Sequence, residues 1–94
     1  MFATVRRYNV DRDKLDELVT RVQGVEQIFK QLPGHVAYYL VRSEGGTMAA
    51  VAIFEDRAAA ESSSRVAAKW IRENVADLMG APTDVTIGEV VAHG

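Results

Sequence analysis

Two adjacent arginines, Arg6 and Arg7, are the side chains of this sequence best suited to binding an anion. They lie in a short segment rich in β-forming residues, and successive side chains of a strand point to opposite faces. If this strand is central in a sheet, at least one guanidinium is partly buried and needs an anionic partner. That partner is either a carboxylate of the protein, such as Glu26 or Glu89, or the phenolate or carboxylate of a ligand.

Glu26 and His35 are the candidates for moving a proton. Glu26 falls within the apolar stripe of a predicted helix, and a buried carboxylate that is paired or has a raised pKa can serve proton transfer. The alternative is a change of helical phase at Gly24, or a helix end that lets the carboxylate reach water. His35 follows a Pro-Gly turn at the start of a strand, where we expect a solvent-accessible imidazole that can act as a base.

Aromatic and small polar residues form a candidate binding surface. Trp70 lies on the inner face of a predicted second helix, together with Ser63 and Asn74. A stretch of small residues on this face can leave space for a flat ligand with the indole as its wall, or it can pack closely on the sheet with the indole filling the core. Tyr38 and Tyr39 point to opposite faces of one strand, so only one of them can line an internal cleft; packing at a core or interface is their alternative role.

Composition excludes several classes of function. The 94 residues fit one domain, 1–94, and the formal charge of −2 argues against a nucleic-acid surface. The absence of cysteine excludes disulfides and thiolate catalysis, and two distant histidines do not make a metal cluster. No apolar run approaches the roughly 20 residues that span a bilayer, and the N-terminus lacks a signal-peptide pattern. We therefore expect a cytoplasmic domain with no metal, cofactor or membrane partner.

Hydrophobic periodicity predicts the order β-α-β-β-α-β. The strands are predicted over 2–9, 35–42, 47–54 and 84–93, and the helices over 11–31 and 56–79. Asp11 or Asp13 can cap the first helix and Asp56 the second, while Gly45 and Gly46 indicate a hairpin loop over 43–46. The right-handed crossover rule then gives an α+β ferredoxin-like fold: a four-stranded antiparallel sheet with both helices on one face.

The seven consecutive apolar residues 48–54 indicate how that sheet is covered. A strand without polar residues must be covered on both faces, and two helices cover only one. The helix-free face then exposes alternate residues of the strand, either the set with Met48 and Ala50 or the set with Ala49 and Val51. The fourth strand adds either Val85, Ile87 and Val91 or Val90 and Ala92. An exposed apolar patch normally marks an interface, so we predict a homodimer that packs sheet to sheet about a two-fold axis.

Two segments carry a family resemblance over nearly the whole chain. They are Pro-Gly-His-Val-Ala-Tyr at 33–38 and Phe-Glu-Asp-Arg at 54–57, the latter followed by Ala59 and Glu61. With these turn, cap and core residues the chain resembles the antibiotic-biosynthesis-monooxygenase-like group of the dimeric α/β-barrel superfamily. The resemblance implies a ligand cleft between sheet and helices. The group includes cofactor-independent oxygenases of quinols or anthrone-like polyketides and haem-degrading enzymes.

The haem-degrading branch is matched least by this chain. Its Asn on the first strand, Trp early in the second helix and His near that helix's end correspond here to Arg6, Ser63 and Glu73. The resemblance therefore implies no haem site. A His that the wider group often has early in the second helix is also replaced, by the serines at 62–64.

The resemblance implies a cofactor-independent monooxygenase acting on a small hydrophobic aromatic ligand. A base deprotonates the quinol or anthrone, and the electron-rich anion reacts with dioxygen. In this scheme Arg6 holds the anion, Glu26 or His35 takes the proton, and Trp70 with a tyrosine clamps the ring. The alternative is a non-catalytic homodimer that binds a small molecule or has a structural role.

Overall fold

The chain folds into a four-stranded antiparallel sheet with its helices on one face. The computed structural model describes residues 1–43 and 45–94, so Glu44 of the predicted hairpin loop lies outside the described residues. The elements in chain order are β1 (Phe2–Asn9), α1 (Arg12–Arg21), α2 (Val25–Lys30), β2 (His35–Arg42), β3 (Thr47–Phe54), α3 (Arg57–Asn74) and β4 (Asp84–Glu89). The strand order is β2-β3-β1-β4, with β1 and β3 in the centre. The predicted ferredoxin-like fold is confirmed.

The single helix predicted over 11–31 is wrong, because Gly24 divides it. Gly24 adopts a left-handed conformation with φ 92°, which glycine reaches without steric cost and which interrupts a right-handed helix. The chain turns there, and α2 begins with a new helical phase. Glu26 consequently lies in the first turn of α2, half-buried, rather than within a continuous apolar stripe.

The long helix α3 begins where its predicted cap places it. The Asp56 carboxylate accepts a hydrogen bond from the Ala59 backbone N–H at 2.8 Å, which satisfies one of the free donors of the first turn. The helix ends at Asn74, short of the predicted 79, and the chain continues through turns to β4. That irregular segment, 75–82, forms one side of the candidate site described below.

The core lies between the helices and the helix-facing side of the central strands. Alternate residues of β1 and β3 point into it, and all are at most 8% exposed: Thr4, Arg6, Tyr8, Met48, Ala50, Ala52 and Phe54. Arg6 is the only cation of this set. Its position decides the orientation of the arginine pair, because Arg7 then faces the opposite side and is exposed.

The helix-free face of the sheet is apolar, as predicted. It carries Val51 and its neighbours Ala49 and Ile53 from β3, and the strand register places Val51 beside Val5 of β1 and Tyr39 of β2. Tyr39 is 61% exposed. The middle of this face is therefore a surface of small and branched apolar side chains with one large aromatic ring, and Arg7 with its ion-pair partner Asp84 lies at its border.

Of the residues predicted from the fourth strand, Val85 and Ile87 do not lie on that face. Val85 and Ile87 pair with Arg6 and Thr4 and so share their helix-facing side. Residues 90–92 follow the end of β4. Among the described residues, no helix combines the length and hydrophobicity needed to cross a bilayer.

Candidate ligand-binding site

Two cavities meet at Arg6. One is an internal cavity of about 40 Å³ between the sheet and the helices. The other is an open groove of about 500 Å³ between α3, the segment 75–82 and the β1–β4 side of the sheet. Arg6, Tyr8, Ile71 and Met79 line both, so these four side chains form the boundary between them.

The volumes decide which cavity can hold an aromatic ligand. An apolar protein cavity of about 150 Å³ holds benzene, and ligand pockets usually measure about 300–1,000 Å³. The internal cavity is too small for a ring, whereas the groove is within the usual range. The space expected beneath the second helix is thus filled mainly by side chains, and the space for a flat ligand lies farther toward β4.

The Arg6 guanidinium is buried, and no carboxylate of the described residues forms an ion pair with it. The residue is 4% exposed; Nη2 donates a hydrogen bond to Ser64 Oγ, and Nη1 donates to Thr4 Oγ1 at 3.5 Å. None of the ion pairs within the described residues includes Arg6. Burial lowers the pKa of Arg6, but arginine begins so high that the group stays cationic. Since a guanidinium carries five N–H donors, further donors remain for an anionic ligand.

Two tyrosines lie beside this cation. Tyr8 is 3% exposed and lines both cavities, and burial raises its pKa. Tyr38 lines the internal cavity and stacks on Phe29, with ring centroids 4.5 Å apart. Burial, together with the nearby Tyr8 and Glu26, raises the pKa of Tyr38 to about 12 against the opposing effect of Arg6. Both phenols are therefore neutral at physiological pH. In this state they can donate hydrogen bonds to a ligand, but they cannot act as a base.

The raised pKa of Tyr38 predicts a loss of stability at alkaline pH. An unfolded tyrosine ionises near pH 10, whereas the folded one holds its proton until about pH 12. The stabilisation from the neutral buried phenol is then complete below about pH 10 and is lost as the pH rises through about 12. Tyr38→Phe preserves the stacking on Phe29 and removes the ionisation, so we expect a shallower alkaline decline in the free energy of unfolding.

Urea denaturation at a series of pH values between 8 and 12 measures this decline. Tyr39→Phe, on the opposite face of β2, is the control for losing a hydroxyl. Identical slopes for the parent chain and Tyr38→Phe contradict the prediction.

The structure brings three of the predicted site residues together. Arg6, Tyr38 and Trp70 line the internal cavity, with Trp70 on the α3 side. Tyr39 does not join them, because it lies on the helix-free face. Glu26 lines neither cavity and acts on the site only through its electrostatic effect on Tyr38.

The remaining predicted site residues are held elsewhere. Ser63 Oγ is buried and donates to the Ala60 carbonyl at 2.6 Å, and Asn74 Nδ2 donates to the Trp70 carbonyl at 2.9 Å. His35 is half-buried rather than freely accessible: its ring lies edge-on to Phe54, and its buried Nε2 has no hydrogen-bond partner among the described residues. None of the three lines either cavity.

Sequence reasoning missed three polar residues of the site: Tyr8, Ser64 and Arg72. The signal for Tyr8 was available, because residues two apart on a strand share a face and Arg6 was already a candidate. Ser64 follows Ser63, but one residue turns a helix by about 100°, which directs Ser64 toward Arg6 and Ser63 toward the core. The choice between adjacent serines depended on the rotation of α3 about its axis.

The lining contains cations but no ordinary base. Among the described residues it includes Arg6 and Arg72, and neither a carboxylate nor a histidine. The rest is mainly apolar, including Val85, Ile87 and Pro82 along the groove. Such a surface fits a flat hydrophobic molecule that bears one anionic oxygen.

The sequence profile of the antibiotic biosynthesis monooxygenase family matches residues 1–68. The chain belongs to this family. The match runs from β1 into α3 and confirms the resemblance inferred from the segments at 33–38 and 54–57. A search of curated proteins gives no match.

Solved structures of similar fold come from several bacteria. A protein of unknown function from Nitrosomonas europaea has a TM-score of 0.82 and 18% identity, with 99% of this chain and 91% of that chain covered. A haem degrader from Mycobacterium tuberculosis, solved with two haems in its active site, has a TM-score of 0.80 and 15% identity over 100% and 99%. Another Mycobacterium tuberculosis protein has a TM-score of 0.74 and 20% identity over 98% and 96%. These TM-scores establish the common fold.

The site of this family member does not fit a haem. Haem iron takes an axial ligand from the protein, most often a histidine or a cysteine thiolate. The sequence has no cysteine, and His35 and His93 lie outside both linings.

Proposed function

We propose that the protein is a cofactor-independent monooxygenase that binds a small aromatic substrate of the quinol or anthrone type in the groove. The observation that carries the proposal is the buried Arg6 guanidinium, which meets a groove of about 500 Å³ and has no carboxylate partner among the described residues. A buried cation without a counterion is costly, and an anionic substrate supplies the missing charge. Membership of the monooxygenase family supports the same reaction class.

Arg6 stabilises the substrate anion in this mechanism. Hydrogen bonds and charge in a water-poor site stabilise a developing oxyanion more strongly than water does. The anion of an anthrone-type substrate is electron-rich at the carbon opposite its oxygen, and that carbon reacts with dioxygen. The methylene loses two hydrogens and gains one oxygen to become a carbonyl, while the second oxygen leaves with the two hydrogens as water. No other oxidant or reductant is required.

The proton passes to solvent rather than to a side chain of the lining. Since neither Glu26 nor His35 lines the described cavities, Arg6 promotes ionisation by lowering the pKa of the bound substrate. We therefore expect kcat/KM to rise with pH along the ionisation of the substrate and then to level off. Trp70 and Tyr38 support the site from the wall of the internal cavity.

Oxygen uptake with a panel of hydroquinones and anthrones tests the proposal. Binding is followed in parallel by the fluorescence of Trp70, the sole tryptophan, which lines the cavity next to Arg6. We expect at least one compound to quench Trp70 and to be oxidised faster than in buffer alone. Uptake that never exceeds the uncatalysed rate for compounds that bind contradicts the oxygenase.

The second candidate function is a non-catalytic small-molecule binder. The absence of carboxylate and histidine from the described lining favours it, because such a site can hold an anion without removing a proton. Quenching of Trp70 without oxygen uptake is the result that distinguishes the binder from the oxygenase.

We also propose that the chain forms a homodimer through the helix-free face. The row of Val5, Val51 and Tyr39, with the alanines around it, is apolar and is not covered by the chain's own helices. A contiguous apolar patch usually marks an interface, and a two-fold axis brings two identical patches together. A second copy of the chain can therefore bury this face.

A further inference from the structure

We propose that the internal cavity binds dioxygen and delivers it to a substrate in the groove. The inference rests on the proposed oxygenase function for its role, but the binding site itself is a property of the folded chain. Three features support it: the volume of the cavity, its apolar interior and its contact with the groove at Arg6.

The volume selects a very small ligand. By the same measure one water takes about 10–15 Å³, so a cavity of about 40 Å³ has room only for a molecule of about two or three heavy atoms. It is several times smaller than the roughly 150 Å³ that holds a benzene ring. The aromatic substrate is thus confined to the groove, and only a small co-substrate can enter the cavity.

The lining selects an apolar ligand. The polar groups are Arg6, Tyr8, Tyr38 and the indole of Trp70, and the other walls consist of aliphatic, aromatic and methionine side chains: Leu18, Val22, Val25, Phe29, Leu40, Met48, Ala50, Ala67, Ile71 and Met79. A stable buried water needs two to four polar partners, whereas polar atoms make up only a small part of the cavity surface. Dioxygen needs none and is favoured in an apolar environment over water.

The position of the cavity suits the reaction. Arg6, Tyr8, Ile71 and Met79 line both spaces, so dioxygen in the cavity lies across this boundary from a substrate bound at Arg6. The substrate anion transfers one electron to dioxygen, and the resulting radical and superoxide combine to form a carbon–oxygen bond. The peroxide takes a proton from solvent and eliminates water to leave the carbonyl. Arg6 stabilises the negative charge at both stages.

Methyl NMR of the chain under dissolved dioxygen tests the site without any substrate. Dioxygen is paramagnetic, so methyl groups near a bound molecule relax faster. We expect larger relaxation enhancements at Leu18, Val22 and Ala67 than at Ala60 and Val75, which are also buried but lie outside the lining; Leu18, which is 0% exposed like both controls, gives the matched comparison. Equal enhancement at the two groups of methyls overturns the proposal.

A cavity-filling variant connects the site to turnover. Ala67→Val adds volume to the cavity from α3, and Ala60→Val makes the same change on the same helix away from it. We expect Ala67→Val to lose the enhancement at Leu18 and Val22 and to raise the KM for dioxygen about tenfold, equivalent to about 1.4 kcal/mol. The KM for the aromatic substrate is expected to be unchanged in both variants.

The outcomes separate this site from the proposed function. Localised relaxation in a chain that oxidises no compound supports the site and contradicts the oxygenase. Turnover combined with uniform relaxation overturns the site alone. Should Ala67→Val fail to fold, the relaxation contrast in the parent chain decides the question by itself.

Discussion

Arg6→Met is expected to abolish catalysed oxygen uptake while making the folded chain more stable. Among the described residues Arg6 is the only buried cation that lines both cavities, so its loss removes the stabilisation of the substrate anion. Loss of one oxyanion donor typically lowers kcat by about 10²–10³. The same change replaces a desolvated charge that has no carboxylate partner among the described residues with the unbranched, uncharged side chain of methionine. Apolar replacement of buried charges is often stabilising, here by about 1 kcal/mol or more.

Arg7→Met is the matched control for that variant. Arg7 is the neighbouring residue on the opposite face, and its exposed guanidinium pairs with Asp84 at 2.9 Å. An exposed pair contributes about 0–1 kcal/mol, so we expect little change in either stability or turnover. Oxygen uptake and urea denaturation on both variants measure the contrast.

Two results are incompatible with the role given to Arg6. If Arg6→Met retains turnover, the guanidinium has no role in the mechanism. A loss of stability by several kcal/mol identifies Arg6 as a structural residue that is held by Ser64 and Thr4. Arg6→Lys adds a finer test, because it keeps the charge but loses the planar donors that hold an oxyanion at two points.

Val51→Lys is expected to convert the proposed homodimer to a monomer. Val51 lies at the centre of the helix-free face, between Val5 and Tyr39, and the two-fold axis places two added ammonium groups in the same interface. An unpaired buried charge costs about 3–5 kcal/mol, which raises the dimer dissociation constant by more than about 10². Light scattering at micromolar concentration should then give the chain mass of 10.3 kDa instead of twice that value.

Ala58→Lys controls for the added charge, since Ala58 is exposed on α3 at the opposite side of the sheet. It is expected to remain dimeric. A parent chain that is already monomeric at this concentration contradicts the proposed assembly. Equal masses for the parent and Val51→Lys show that the helix-free face is not the interface.

These two variants concern opposite faces of the same strands, and the sequence predicts that such faces exist. Successive side chains of a strand point to opposite faces, and every residue of the run at 48–54 is apolar. Both faces of β3 therefore need to be covered. The order of strands and helices then leads to one fold and to a central place for this strand. Because all these inferences depend on local periodicity and chain connection, they were available before any tertiary contact was known.

The candidate site was predicted only in part. Strand alternation separates Arg6 from Arg7 and Tyr38 from Tyr39 with certainty, but it does not say which member of each pair is buried. That choice depends on which face the helices cover. Glu26 illustrates the same limit: a left-handed Gly24 reset the helical phase, and the carboxylate moved out of the predicted stripe.

The sequence by itself determined the βαββαβ fold, the apolar helix-free face and the presence of one buried arginine in β1. Only the tertiary structure decided that Arg6 is that arginine, that Ser64 and Tyr8 accompany it, and that the ligand-sized space is a groove beside segment 75–82. The physical reason is that periodicity records how a side chain is directed within its own element. A cavity is the space left where several elements pack imperfectly, and no single segment of the sequence encodes it.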